Sequence, residues 1–213
     1  MLPTAHVEFT WAALNLIQRH SNSLTKADFR WVAAAALAPD LLDKPLALTL
    51  YRESNAALFW GHNLWFHSAV WLVALVLYAG RGAFSRAAPY LLAFSGHLIA
   101  DRMWGFRDSL FYPLGGGHWH AWVHVGDAGA MLDAYLGIIA ETPLLVAFEL
   151  VGLALLIWFV IDRGLWGKAN LRRFIRSGRA CPHRTSCESL AGSESELPNV
   201  MRRNQGRLGR PRE

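Results

Sequence analysis

Cysteine is scarce in this chain: the two present, Cys181 and Cys187, both lie near the C-terminus. That argues against a disulfide-built scaffold or a cysteine zinc site in the apolar part of the sequence. CPHRTSC is followed by no second Cys/His pair, so its cysteines read as reduced thiols in a tail. Charge is scarce too. Only 17% of residues are charged while 53% are hydrophobic, against roughly 25% charge in an ordinary soluble domain. A recognisable secretory leader is also missing, since MLPTAHVEF offers neither a basic start nor a small-residue cleavage site after an apolar run. No internal repeat is visible.

What the chain has in excess is apolar helix-like sequence and tryptophan, ten in 213 residues. Tryptophan favours membrane–water boundaries. Five segments read as helices: about Ala5 to Arg19, Phe29 to Leu50, Ala56 to Tyr78, Ala87 to Trp104, and PLLVAFELVGLALLIWFVI. The last is the clearest membrane span, with Glu149 its only charge, and a span needs about 20 apolar residues. The third and fourth are expected to span as well. The first two carry polar groups that only a bundle interior tolerates. Between Gly105 and Glu141 the Gly triplet and Pro113 break helix, and a short helix is expected from about Asp127. Glu141 is expected to start the last helix.

The fold expected is therefore all-α: an integral membrane bundle of about four to five helices over residues 1–166, then a basic, disordered tail over 167–213. Of the 21 Lys and Arg, 12 lie from Arg163 onward. Behind an apolar helix such a tail is read as a topology signal, not as a nucleic-acid binder, and it places the C-terminus in the cytoplasm of a bacterial-type inner membrane protein. Lys26, Arg30, Arg81 and Arg86 then fall on the cytoplasmic side.

Seven ionisable residues interrupt the apolar segments: His6, Asp40, Asp43, His62, His67, His97 and Asp101. Such groups are costly in a low-dielectric setting unless they pair or bind a metal. His97 and Asp101 are four apart and share one helix face. With the topology above, all seven fall on the extracytoplasmic side, beside the loop that carries His118, His120 and His124. Mixed imidazole and carboxylate ligands suit zinc, with manganese or another divalent metal as alternatives. An ion there lowers the pKa of water toward 7 and supplies a nucleophile. A further carboxylate then acts as base or orients a ligating histidine. Asp43 and Asp101 are the candidates for catalytic carboxylates, and His6, Asp40, His62, His67, His97 and Asp101 for metal ligands. Helix capping is the plain alternative for Asp40 and Asp43, and a packing or capping role is for Ser68.

The set TAHVEF, APDLLD, GHNLWFHS, SGHLIAD and LFYPLGG resembles, in order and spacing, the YdjM-like family of membrane-bound metal-dependent hydrolases. The match covers about Thr4 to Gly117. That family is similar in turn to zinc-dependent phospholipase C and P1-type nucleases, which are all-helical. The resemblance implies a hydrolase with His6, Asp40, His67, His97 and Asp101 as metal ligands. Two departures bear on Asp43 and His62: the second acid follows Asp40 by three residues where relatives often have two, and His62 stands where a His-Arg pair is common. The expected activity is hydrolysis of an ester or phosphoester, with the lipid bilayer as surroundings and a lipid-linked substrate favoured by the depth of the site. Two alternatives use the same residues: a b-type haem held by His67 and His97, and a metal or proton transporter. The transporter would need polar groups through the full bilayer depth.

Overall fold

The computed structural model describes residues 2–20, 24, 26–78, 83–121 and 128–180, and among them it is all-helical, with no strand. The helices are α1 (Pro3–His20), α2 (Phe29–Leu48), α3 (Leu64–Tyr78), α4 (Phe84–Ala100), α5 (Arg107–Leu110), α6 (Ala128–Glu141), α7 (Pro143–Asp162) and α8 (Lys168–Ser177). Short 3₁₀ turns at Arg52–Ser54, Trp60–His62 and Met103–Gly105 join them.

Pairwise contacts give the helix directions. Thr4 Oγ1 donates to Glu149 Oε2 (2.7 Å) and Asn15 Nδ2 donates to Asp162 Oδ2 (2.9 Å), so α1 and α7 run parallel. The backbone N–H of Asp28 donates to the Tyr90 hydroxyl (3.1 Å), and His97 Nδ1 meets the Ala36 carbonyl (2.7 Å), so α2 and α4 are parallel too. Trp11 Nε1 donates to the Phe29 carbonyl (2.9 Å), while His6 lies beside His97, which makes α1 antiparallel to that pair. The starts of α1, α3 and α7 therefore share one end of the bundle with the finishes of α2 and α4. The candidate site lies at that end.

The main core packs Leu14, Phe29, Val32, Ala36, Ala93 and Phe159 between α1, α2, α4 and α7. At the opposite end from the site, Arg163 is buried. It donates to Asn15 Oδ1, and through Nη2 to Gln18 Oε1 (2.7 Å), and sits 5.7 Å from the Phe29 ring. Burial pulls its pKa down to about 10, against the pull of Asp162. The apolar layer of Leu14, Val32 and Ala93 separates this polar group from the histidines.

Several expectations need revision. The third segment is not helical from Ala56, because Trp60–His62 forms a 3₁₀ turn and α3 begins only at Leu64. Asn63 caps α3, its Oδ1 accepting from Phe66 N (3.1 Å). Glu141 ends α6, and Pro143 starts α7, where a missing N–H costs nothing. Residues 168–177 are helical, not disordered. Leu171, Phe174 and Ile175 share one face of α8, and Phe174 is buried against Trp11, Phe29 and Phe159. Gly178, at φ 65°, ends α8 in the left-handed conformation, and its carbonyl accepts from Phe29 N (2.7 Å). Arg30 Nη1 donates to the carbonyls of Ile175 and Arg176 (2.9 and 3.1 Å). The rest of the tail, with both cysteines, lies outside the described residues, as does His124.

One helix among the described residues is long and apolar enough to cross a membrane: α7, 20 residues with mean hydropathy 2.7 and only 11% of its apolar window buried. At 1.5 Å per residue it spans about 30 Å, the thickness of a hydrocarbon core. α3 has 15 residues, about 22 Å by the same rise, yet exposes Leu72, Val73, Leu75, Val76 and Leu77.

Candidate metal centre

Four side chains from three elements converge. Asp40 comes from α2, His62 from the 3₁₀ turn, and His97 and Asp101 from the end of α4; one ligand atom from each lies within 4.8 Å of all the others. His62 Nε2 is 3.1 Å from His97 Nε2. Asp101 Oδ2 lies 3.3 Å from the first and 3.2 Å from the second. Asp40 stands slightly further off, at 3.8 Å from His62 Nε2 and 4.0 Å from His97 Nε2. His6 completes the group: its Nε2 is 3.1 Å from Asp101 Oδ1, and its ring stacks on His97 at 4.0 Å between centroids. The three histidines are buried, whereas the two carboxylates keep 13–14% exposure toward a cavity.

The outward nitrogens decide what the inner ones can do. His97 Nδ1 faces the Ala36 carbonyl, which only accepts, so this nitrogen carries the proton. His62 Nδ1 lies 2.7 Å from Asp43 Oδ2 and is a donor for the same reason. In the neutral rings, both Nε2 lone pairs therefore point at one another and at Asp101. A proton or a cation must sit among them to relieve that repulsion. This is the usual support for metal-binding imidazoles, where a carbonyl or carboxylate fixes the tautomer from behind. The residues fit a divalent metal.

Asp43 is not a cap of its own helix and does not face the cavity. It lies inside α2, fully buried. Its carboxylate accepts from Phe59 N (2.6 Å), Gly61 N (2.8 Å) and His62 Nδ1. With its acceptor sites turned to these donors it positions His62 and holds the 3₁₀ turn; it is not placed to take a proton from a water in the cavity. Asp40, also inside α2, pairs with Lys44 at 2.9 Å.

His67 is likewise not at the centre. Its Nε2 meets the Gly61 carbonyl (2.8 Å) and its Nδ1 meets Ser95 Oγ (3.1 Å). The ring braces the turn from α3, and with both nitrogens engaged it has no axial position to offer a haem. His67→Gln is therefore expected to keep stoichiometric metal, with an affinity loss no greater than the 10–100-fold typical of supporting residues. Complete loss of metal in that variant, by elemental analysis, would return His67 to the ligand set. Gly61 is the pivot between them. A Cβ there would overlap the Pro39 carbonyl and lie 2.8 Å from the Pro39 Cα, both backbone atoms that cannot swing away. Gly61→Ala is expected to cost about 1–3 kcal/mol as an overpacked site, measurable by denaturant unfolding, and to weaken metal binding with it.

The remaining candidates lie apart. His118 Nε2 and His120 Nδ1 are each 3.7 Å from Asp108 Oδ2 in an exposed group. Ser68 Oγ donates to the Leu64 carbonyl of its own helix (2.9 Å). Glu149 accepts from Leu2 N (2.9 Å) and Thr4, and so anchors α1. Lys44, Tyr135 and Arg102, which line the cavity beside Asp40 and Asp101, are not among the candidates read from the sequence. Lys44 is one helical turn after Asp40, a spacing that would have placed it on the same face. No protein-family model, curated protein or solved structure matches the chain.

Proposed function

We propose that this chain is a membrane-bound, metal-dependent hydrolase of the YdjM-like kind, acting on an ester or phosphoester. The observation that carries it is the pair of buried, back-supported imidazoles whose Nε2 atoms face each other and two carboxylates at the edge of a cavity. Asp40, His62, His97 and Asp101 would hold the ion, with His6 beside them. Zinc suits this nitrogen and oxygen set best. A divalent ion there supplies Lewis acidity, which polarises the ester and acidifies water.

The protein's own groups do the rest. Asp43 and the Ala36 carbonyl fix two rings. Asp101 and Asp40 are the carboxylates open to the cavity. In hydrolysis a water loses a proton as its oxygen bonds to the ester centre, and the leaving oxygen regains one.

The bundle is proposed to be a multi-pass membrane protein. α7 and α3 expose apolar faces that water would not tolerate on this scale. Arg19, Lys26, Arg30, Arg172, Arg173 and Arg176 belong to the end opposite the site, which suits a cytoplasmic surface and an extracytoplasmic site. The test is purification of the full chain from membranes in detergent, with elemental analysis and an assay on bis-p-nitrophenyl phosphate. Stoichiometric metal, and hydrolysis lost in the His97→Ala/Asp101→Ala protein, are expected. Hydrolysis retained by that variant, or release of the protein from membranes by salt alone, would overturn the proposal.

A further inference from the structure

The metal centre opens into a cavity of about 480 Å³ whose polar lining is Asp40, Asp101, Lys44, Arg102 and Tyr135. Lys44 is paired with Asp40 and lies 5.7 Å from the Tyr135 ring centre. Arg102 is exposed at the rim, in the left-handed conformation at φ 54°, directly after Asp101. Lys44 and Arg102 together match the charges of the two cavity carboxylates. Asp43, sealed behind His62, is met by two backbone N–H groups and the imidazole. With the charge of Asp43 counted, a bound divalent ion would leave a surplus of about one positive charge to be met by whatever enters. A phosphate, at about −1.5 to −2 when a monoester, suits it, and a neutral ester head does not.

A second cavity of about 570 Å³ adjoins the first, and both are lined by Arg102 and Trp104. It is a groove between α1 and α4, walled by Phe9, Ala13, Leu92, Ala93 and Gly96, and its lining is overwhelmingly apolar. Small residues keep it open: a Cβ built on Gly96 meets nothing within 4 Å. From Pro89 to Ile99, both lining residues, the groove follows about 15 Å of helix.

We propose that the two cavities form one site for an amphiphile with a phosphate head, the phosphate held by Lys44 and Arg102 against the metal centre and the hydrocarbon chain laid in the α1–α4 groove. The occupant is a single molecule because the polar cavity and the apolar groove meet at Arg102. This rests on the hydrolase reading for the role of the metal centre, but its test is binding and needs no turnover.

The full chain, zinc-loaded in nanodiscs of neutral lipid, is titrated with dipalmitoyl phosphatidic acid, dipalmitoylglycerol and inorganic phosphate, and bound lipid is read by native mass spectrometry. Phosphatidic acid is expected to bind at least tenfold tighter than either of the others. Arg102→Gln should cost at least tenfold for phosphatidic acid, with zinc content unchanged. Gly96→Leu and, from the opposite wall, Ala13→Phe should each cost a similar factor for phosphatidic acid while leaving the weaker inorganic phosphate binding as it was. Two groove variants guard against a folding defect in one. Equal binding of dipalmitoylglycerol would overturn the phosphate head. Inorganic phosphate binding as tight as the lipid, or indifference of both groove variants, would overturn the chain site. Tight, groove-dependent binding without any hydrolysis would instead sink the hydrolase reading and leave this proposal standing.

Discussion

Zinc added to the metal-stripped protein is expected to stabilise it by about 4 kcal/mol at a free concentration roughly a thousand times Kd, and Asp101→Ala is expected to lose that stabilisation entirely. The reason is the crowding at one carboxylate. Asp101 Oδ1 is 3.1 Å from His6, and Oδ2 lies 3.3 Å from His62 and 3.2 Å from His97. Asp101 thereby touches all three imidazoles. Removing it leaves nitrogen ligands facing one another with Asp40 alone to supply oxygen, at 3.8 Å and 4.0 Å. Thermal or denaturant unfolding of wild type and variant, each with and without zinc, gives the comparison. An equal zinc-induced rise in both proteins would show that the ion binds elsewhere.

The second large effect is expected at Asp43. Asp43→Ala strips a fully buried carboxylate from the Phe59 and Gly61 amides and from His62, leaving three buried donors without their acceptor. Loss of one member of a buried charged group costs about 3–5 kcal/mol, and the supporting contact to a ligand is worth 10–100-fold in metal affinity. Asp43→Asn keeps the shape but turns a donor toward one of those N–H groups, so it should recover only part of the stability. Stability and metal affinity are expected to fall together in both variants. A catalytic base would behave otherwise: Asp43→Asn would bind metal and fold normally while losing turnover, and that result would reinstate the catalytic role first expected for Asp43.

Much of the site was legible because its residues break an apolar pattern. His6, Asp40, His62, His97 and Asp101 stand out as ionisable groups where burial is otherwise apolar, and Asp101 follows His97 by one helical turn. All five are brought together at one end of the bundle. His67 and Asp43 stand out by the same rule and sit one layer further out. The rule detects buried polarity, and a supporting residue is as buried and polar as a ligand.

Helix positions were legible where the apolar run was long and unbroken, as in α7. They were misjudged where a distant side chain sets the boundary. Asp43 holds residues 59–62 in a tight turn and so shortens α3, and nothing local to those residues announces it. α8 was missed for a related reason: its sequence is mostly basic, and its order comes from Phe174 entering the aromatic core and from carbonyls that Arg30 and Phe29 satisfy.

What the sequence determined by itself is an all-helical chain with His6, Asp40, Asp43, His62, His67, His97 and Asp101 gathered toward one end, since hydrophobic run length and helical spacing are local properties. Which imidazole nitrogens face inward, which carboxylates open to the cavity, and which cations stand beside them were decided only by the tertiary structure. Those depend on hydrogen bonds between α2, the turn at Trp60–His62 and α4, up to 61 residues apart in the chain, and no local pattern encodes a contact over that separation.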